Sequence, residues 1–593
     1  MSSCRTPRSD RPWCSRPARP TLAVLALCLL ATVPALSALA QEGELSTFLD
    51  SVDVNLVNLE VFVTDRQGNR IDGLTREDFE VRVDGEPVEL TNFFVSQPAP
   101  TAQDRQAEAD QVAPPAPPAA PPAPAVSATA PASDPAPSRR RPLFLVAYVD
   151  NLNILPANRK RLLDDLRPML DKRLAAGDQV MLVSFDRSAE IVQPFTRDAA
   201  AVGAGLDRIE RSATRRQVAD TQLRTLVSQI LRDLEEQDPW NPRVQVDLYQ
   251  AERENEAMTA YKGLQRVVTG LAGLPGRKAL LYISDGIPRY PGAELETLPL
   301  ETSTKTPERG HPARRDLRNF YRRLIREANA HEVTLYTFDA RGATSDFGLS
   351  ADNASYAGTM PQFEFARDAS LQEPLLEMAQ ETGGDAIINT FNFSGQLDKL
   401  VRDFQSYYSL GFPSPNPGDG KYHNVKVRVK RPGVRVRHRD GYLDKTAAAR
   451  VADRTESFLL QGWESNPMGV QLQFGEPKKK RRTWRVPVLV RVPADAVTLI
   501  PRDGEMAGRL QLIVAVRDDE GRVSEPTRLE RNVRISAAEM EQRATAGGTN
   551  DLGYALELEM RAGLQSLVVG VWDEVGGSES YVHQRVAVGD SKP

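Results

Sequence analysis

Phe144-Leu-Val-Ala-Tyr-Val-Asp150 and Ala279-Leu-Leu-Tyr-Ile-Ser-Asp285 are two apolar runs of similar length, and each ends on a carboxylate. Runs of this kind predict buried strands of a parallel sheet, with acidic groups on the C-terminal edge where open α/β sheets bind ligands. Outward from the first run, Leu162, Leu163, Leu166, Met169, Leu170 and Leu174 repeat at helical spacing until Gly177-Asp178. Val180 to Phe185 reads as the next strand, and Asp186-Arg187-Ser188 turns into Ala189 to Val192 as a hairpin. Leu264, Val267, Val268, Leu271 and Leu274 mark a helix before the second run, and Val333 to Phe338 is a strand reaching Asp339. A helix over Leu371 to Ala379 and a short strand over Ala386 to Ile388 complete the alternation. The fold class predicted for 142–412 is α/β, a doubly wound, mostly parallel sheet with helices on both faces and β domains flanking it. A charged stretch at about 215–256 carries Leu223, Leu226, Val227, Ile230, Leu231 and Leu234 at helical spacing, and reads as a helical insertion broken near Pro239.

A chain of 593 residues is too long for one core. Arg5, Arg8, Arg11, Arg16 and Arg19, an apolar stretch from Thr21 to Leu39 and Ala38-Leu39-Ala40 describe a signal peptide over 1–40, cleaved after Ala40, with an uncleaved membrane anchor as the alternative. Export to the periplasm or outside the cell follows. Cys4, Cys14 and Cys28 all fall inside that leader, so the mature chain would have no disulfide, thiolate site or cysteine nucleophile. Residues 45–97 read as a small β domain, with Val52 to Val63 near strand alternation and turns at Gln67-Gly68-Asn69 and Asp84-Gly85. Residues 98–141 are a Pro/Ala-rich linker, too poor in apolar side chains for a core. Tyr422 to Val429 alternates strictly and returns through Val434 to Arg437, a hairpin extension over 413–445, and runs between turns over 457–590 suit a β-sandwich.

The net charge of -5 gives no electrostatic reason for nucleic acid as a partner. His311, His331, His423, His438 and His583 are scattered, with no H-E-x-x-H pair, phosphate-binding loop or nucleophile elbow. Lys478-Lys-Lys-Arg-Arg482, beside Trp484, reads either as a contact for anionic envelope polymers or as a charged strand edge that blocks unwanted pairing.

The segments 144–154, Gly177 to Asp186, Val192-Gln-Pro-Phe-Thr-Arg-Asp198 and Leu280-Leu-Tyr-Ile-Ser-Asp-Gly286 together resemble a von Willebrand factor type A domain. Val63 to Gly85 before it, and Tyr407-Tyr-Ser-Leu-Gly-Phe and Val434 to Tyr442 after it, are similar to flanks in the acidobacterial exported branch of that family. The resemblance covers roughly residues 50–445. It implies an adhesion site in which an Asp-x-Ser-x-Ser loop, a threonine and a second aspartate hold Mg²⁺ for a partner's carboxylate. Asp150 and Asp285 match the aspartates and Thr214 the threonine, but Leu152 and Ile154 stand at the serine places. The site is degenerate, and Asp150, Asp285 and Thr214 could hold at best a weak Mg²⁺. The resulting expectation is a non-enzymatic interaction module with no required cofactor. It docks a protein or cell-envelope ligand around Asp150, Asn151, Asn153, Thr214 and Asp285. The alternatives are a Mg²⁺-dependent adhesin and an envelope hydrolase using the Asp150 and Asp285 carboxylates.

Overall fold

The computed structural model describes residues 55–96, 143–235, 243–298, 315–343, 360–502, 504–536, 539 and 551–589. The leader and its cleavage point, the linker at 98–141 and the break at Pro239 lie outside them. Four strands open the described chain: β1 (Leu56–Thr64), β2 (Phe79–Val83), β3 (Glu86–Val88) and β4 (Asn92–Ser96).

The α/β portion follows, with β5 (Leu143–Asp150), α1 (Pro156–Ala175), β6 (Gln179–Asp186) and β7 (Ser188–Thr196). Next come α2 (Ala199–Arg211), α3 (Arg216–Glu235), α4 (Arg243–Gly270), β8 (Arg277–Ser284) and α5 (Arg318–Ala330). It closes with β9 (Val333–Asp339), α6 (Met360–Glu381), β10 (Ala386–Ile387) and α7 (Phe393–Gln405). The strands form a six-stranded sheet in the order β10-β9-β8-β5-β6-β7, parallel except for β7, which returns as a hairpin. Arg187 makes that hairpin turn at a φ of 65°.

Side chains of β5 alternate between two cores. Leu143, Leu145, Ala147 and Val149 pack with α1, α2 and α7, while Phe144, Val146 and Tyr148 pack with α4, α5 and α6. Burial on both faces is why β5 and β8 read as unbroken apolar runs. In place of a separate helical insertion and a following helix, α4 runs continuously from Arg243 to Gly270, so one helix covers the sheet and also closes a satellite core with α3.

The sequence separates a β domain at 45–97 from an extension at 413–445, whereas the structure interleaves them. β11 (Tyr407–Pro413), β12 (Tyr422–Val429), β13 (Arg435–Arg437) and β14 (Gly441–Leu443) complete two sheets, β13-β1-β11-β4 and β14-β12-β2-β3. Val57, Leu59, Val61 and Val63 of β1 face one core together with Tyr408, Leu410 and Phe412 of β11. Neither segment alone has enough strands to cover its apolar face.

Beyond Leu443 a helix intervenes before the strands of the expected β-sandwich. Thr446 caps α8 (Ala447–Gln461), and Gly462 ends it in the left-handed region at φ 68°. Gly273 lets α8 approach the α/β portion, since a Cβ there would lie 2.3 Å from the Arg454 Cα, and its N–H donates to Ser457 Oγ at 2.8 Å. After α8, β15 (Gln471–Phe474) and β16 (Lys478–Lys480) pair with β17 (Thr483–Pro493), which pairs in turn with β21 (Asp551–Met560). The strands β18 (Ile500–Arg502), β19 (Glu505–Arg517), β20 (Thr527–Ser536), β22 (Gly563–Asp573) and β23 (Glu579–Val588) make the facing sheet. One apolar core spans both sheets. The first three residues of the basic run form the exposed strand β16 and Arg481-Arg482 the turn after it, with Lys479 Nζ 5.9 Å from the Trp484 ring centroid. No helix among the described residues is long and apolar enough to cross a membrane.

A buried histidine ties the interleaved segments together. His423 on β12 is 4% exposed, with Nδ1 2.7 Å from Asp84 Oδ2 and Nε2 3.2 Å from Asp419 Oδ1. Both ring nitrogens can donate only in the imidazolium form. Burial pulls its pKa down, but the bonds to Asp84 and Asp419 outweigh burial and hold the pKa above 6.5. The His423 bond lowers Asp84 below 3.8, and the Lys421 N–H with the imidazole lowers Asp419. The clamp is therefore complete between 3.8 and 6.5, and it weakens as pH falls through the carboxylates or rises through the folded histidine. His423→Gln should remove the alkaline limb and lower the melting midpoint at pH 6 by roughly 2–4 °C, measured by calorimetry.

Candidate functional site

The C-terminal edge of the central sheet brings together the loop after β5, the end of β8, the first turn of α1 and the α2–α3 connection. Asp150 is fully buried, and its Oδ2 accepts from Tyr282 Oη at 2.6 Å and Asn153 Nδ2 at 2.9 Å, while the Asn153 N–H reaches Oδ1 at 3.2 Å. Asp285 is also fully buried. Its Oδ2 accepts from the Leu155 N–H at 2.8 Å, and the Asn158 amide reaches both carboxylate oxygens at 3.0 Å. Leu155 and Pro156 begin α1, so Asp285 puts negative charge where the helix presents unpaired N–H groups.

Asn151, 1% exposed, is a junction. Its amide donates to Ser184 Oγ at 2.8 Å and Ser212 Oγ at 3.0 Å, and its oxygen accepts from Arg159 Nη1 at 2.6 Å. Arg159 continues to the carbonyls of Glu210 and Ser212, at 2.6 and 2.9 Å, and so fixes the α2–α3 connection to α1. The hydroxyl that reaches the Asp150 loop from this connection is that of Ser212. Thr214 is half-exposed at the surface, beside Arg215, whose N–H donates to the Asn151 carbonyl at 3.1 Å. Asn153 holds the end of β8 through its carbonyl, which accepts from the Asp285 N–H at 2.8 Å.

Electrostatics follow from burial. Burial pushes the Asp285 carboxyl up to about 6, against Arg216, whose positive charge lowers it. Burial also raises Asp150, opposed by its bonds to Tyr282 and Asn153. Arg216 opens α3, pairs with Asp220 at 3.1 Å and borders a recess of about 50 Å³ that Asn153, Tyr249, Glu294 and Arg367 also line. That is room for about one or two waters.

The residues present do not fit a Mg²⁺ ion. A hard cation wants six or more free oxygens, and here neutral N–H and O–H donors of the protein already occupy the oxygens of both carboxylates. Leu152 packs among Tyr148, Phe185 and Tyr261 on one face of the sheet, and Ile154 among Leu162, Leu163 and Leu166 on the other. The two serine places are thus core positions. Among the described residues no three His, Cys, Asp or Glu side chains group to hold a metal.

Of the residues singled out in the sequence, Asp150, Asn151, Asn153 and Asp285 converge, but sealed from solvent, so a partner cannot touch the first two or Asp285. Only Thr214 reaches the surface. Sequence reasoning missed Asn158, Arg159, Tyr282 and Arg216. The available signal was Tyr282, a polar-tipped ring inside a run buried on both faces, which needs an acceptor nearby.

No family model matches the chain, and no curated protein does. Among solved structures, proximal thread matrix protein 1 of the mussel byssus is 13% identical, with 44% of this chain and 46% of that one covered and a TM-score of 0.21. The vWF domain of the type V pili tip protein Mfa5 from Porphyromonas gingivalis is 12% identical, with 44% and 95% covered and a TM-score of 0.23. The pilus adhesin SpaC from Lactobacillus rhamnosus GG, in an open conformation, is 8% identical, with 76% and 52% covered and a TM-score of 0.23. The match spans less than half of the byssus protein. Likenesses this distant carry no argument, so the site must be read from its own geometry.

Two outcomes are expected of that geometry. Leu152→Ser and Ile154→Ser, which restore the hydroxyls of a metal loop, should each destabilise the chain by about 3 kcal/mol in denaturant titration and confer no Mg²⁺ binding in calorimetry. Because the folded Asp285 holds its proton up to about 6 against 3.8 when free, the fold loses stability as pH rises between those values. Asp285→Asn should flatten that slope. An unchanged slope would assign the titration to another group.

Proposed function

We propose that this chain is an exported, non-enzymatic interaction protein whose central portion is a doubly wound, von Willebrand factor A-like domain. It docks a protein or cell-envelope ligand on the rim of the sheet's C-terminal edge, without a metal. The observation that carries this reading is that protein donors fill both carboxylates and that a fixed cation, Arg216, sits where its charge acts on Asp285. Asp150, Asn151, Asn153 and Asp285 serve as the frame of the site. The rim they hold, with half-exposed Thr214 and the exposed Arg187 and Arg215, is the surface offered to a partner. Export rests on the arginine-rich, apolar leader that ends at Ala40. The small recess beside Asn153 and the occupied carboxylates argue against hydrolysis, which needs a substrate cavity and an acid or base free to move a proton.

The test is capture of a partner from envelope extract by the immobilised mature chain, with Mg²⁺ or with chelator. Capture should be equal in both, and Arg187→Glu combined with Arg215→Glu should cut it at least fivefold without changing the melting midpoint. Loss of capture in chelator with recovery on added Mg²⁺ would establish a metal-dependent adhesin instead.

A further inference from the structure

A cavity of about 680 Å³ lies at the opposite, N-terminal edge of the central sheet, where the outer face of the sheet β13-β1-β11-β4 looks toward β8 and β9. That volume is in the range of small-molecule sites. Strand alternation decides its floor. Because Val57, Leu59 and Val61 of β1 and Tyr408 and Leu410 of β11 turn inward, Asn58, Ser409 and, from β4, Asn92 and Phe94 turn outward into the cavity. Gly411 stands opposite both Asn58 and Asn92 in the ladder. A Cβ there would lie 2.8 Å from the Asn92 Cβ and 3.2 Å from Asn58 Oδ1, so the two amides close over a bare backbone position. Phe94, 46% exposed, leaves a ring face open beside them.

The facing wall is cationic. Arg277, Lys278 and Arg439 line it against Glu60 and Glu332. Arg277 pairs with Glu60 and lies 4.0 Å over the Tyr407 ring centroid, and Arg439 pairs with Glu332 at 3.1 Å. The remaining cation, Lys278, is 5% exposed and donates to the Leu274 carbonyl at 3.0 Å. Arg439 Nε is buried and has no hydrogen-bond partner among the described residues. Burial lowers the Lys278 pKa, as befits a cation short of counter-charge.

We propose that this cavity binds an acidic sugar, a hydroxylated ring bearing one carboxylate, either free or as the end of a uronic-acid glycan. The carboxylate meets Lys278 and Arg439 and neutralises the surplus cation. The ring hydroxyls exchange hydrogen bonds with Asn58, Asn92 and Ser409, each of which can both donate and accept. The apolar face of the ring lies on Phe94.

The experiment is calorimetric titration of the full mature chain with glucuronate, galacturonate, digalacturonate and glucose. A saturable uronate, at least tenfold tighter than glucose, is expected. A tighter fit for digalacturonate marks the glycan end as the source, and equal affinity marks the free acid. Lys278→Met keeps the apolar stem and should weaken the uronate at least tenfold. Phe94→Ala, at an exposed position, should weaken it about fivefold with an unchanged melting midpoint. Absence of saturable uronate binding, equal affinity for glucose, or no effect of either substitution overturns the assignment.

Discussion

A carboxylate sealed from water must have its oxygens filled by donors, and the top of the central sheet is arranged to satisfy two of them. Asp150 takes Tyr282 from the neighbouring strand and Asn153 from its own loop, while Asp285 takes the N–H of Leu155, the residue that caps α1, and the Asn158 amide in its first turn. From these follow the path of the β5–α1 loop, the seat of α1 on the sheet and, through Asn151 and Arg159, the position of the α2–α3 connection. Removing either carboxylate therefore leaves several donors stranded at once. The edge that α/β sheets commonly keep open for a ligand is here closed by the chain's own polar groups, and what remains available is the rim.

What could be read from the sequence divides along the range of the forces involved. The strands β5 and β8 were legible because a strand buried on both faces is apolar throughout, and α1 because its leucines repeat with the turn of a helix. Both are local properties. The pairing of β1 with β11 leaves no local trace, since it depends on two half-covered apolar faces more than 300 residues apart finding each other. α8 was hidden for a different reason: it follows directly on the short strand β14, and its alanine-rich start gives little apolar contrast. At the site, the sequence located Asp150, Asn151, Asn153 and Asp285 but not what surrounds them. Asn158 and Arg159 look like the polar side of an amphipathic helix, and Arg216 looks like one of many surface arginines. Only burial distinguishes them.

The two ends of the central sheet thus differ in character. The C-terminal edge is closed, internally neutralised and suited to holding loops in place. Beneath the N-terminal edge lies an open space with one cation more than it has carboxylates. The two sheets built from 55–96 and 407–443 form a sandwich around one core, and its outer sheet β13-β1-β11-β4 is the floor of that space.

That closure also fixes how the molecule carries tension. The chain leaves the sandwich after β4 and returns to it at β11, and these strands are direct ladder neighbours, with Ser96 opposite Tyr407. A pull applied along the chain from before β1 to beyond β14 passes through the sandwich ladders and bypasses the α/β portion, which hangs between two points a hydrogen bond apart. Tension along that path reaches the α/β portion only after the ladder between β4 and β11 has sheared.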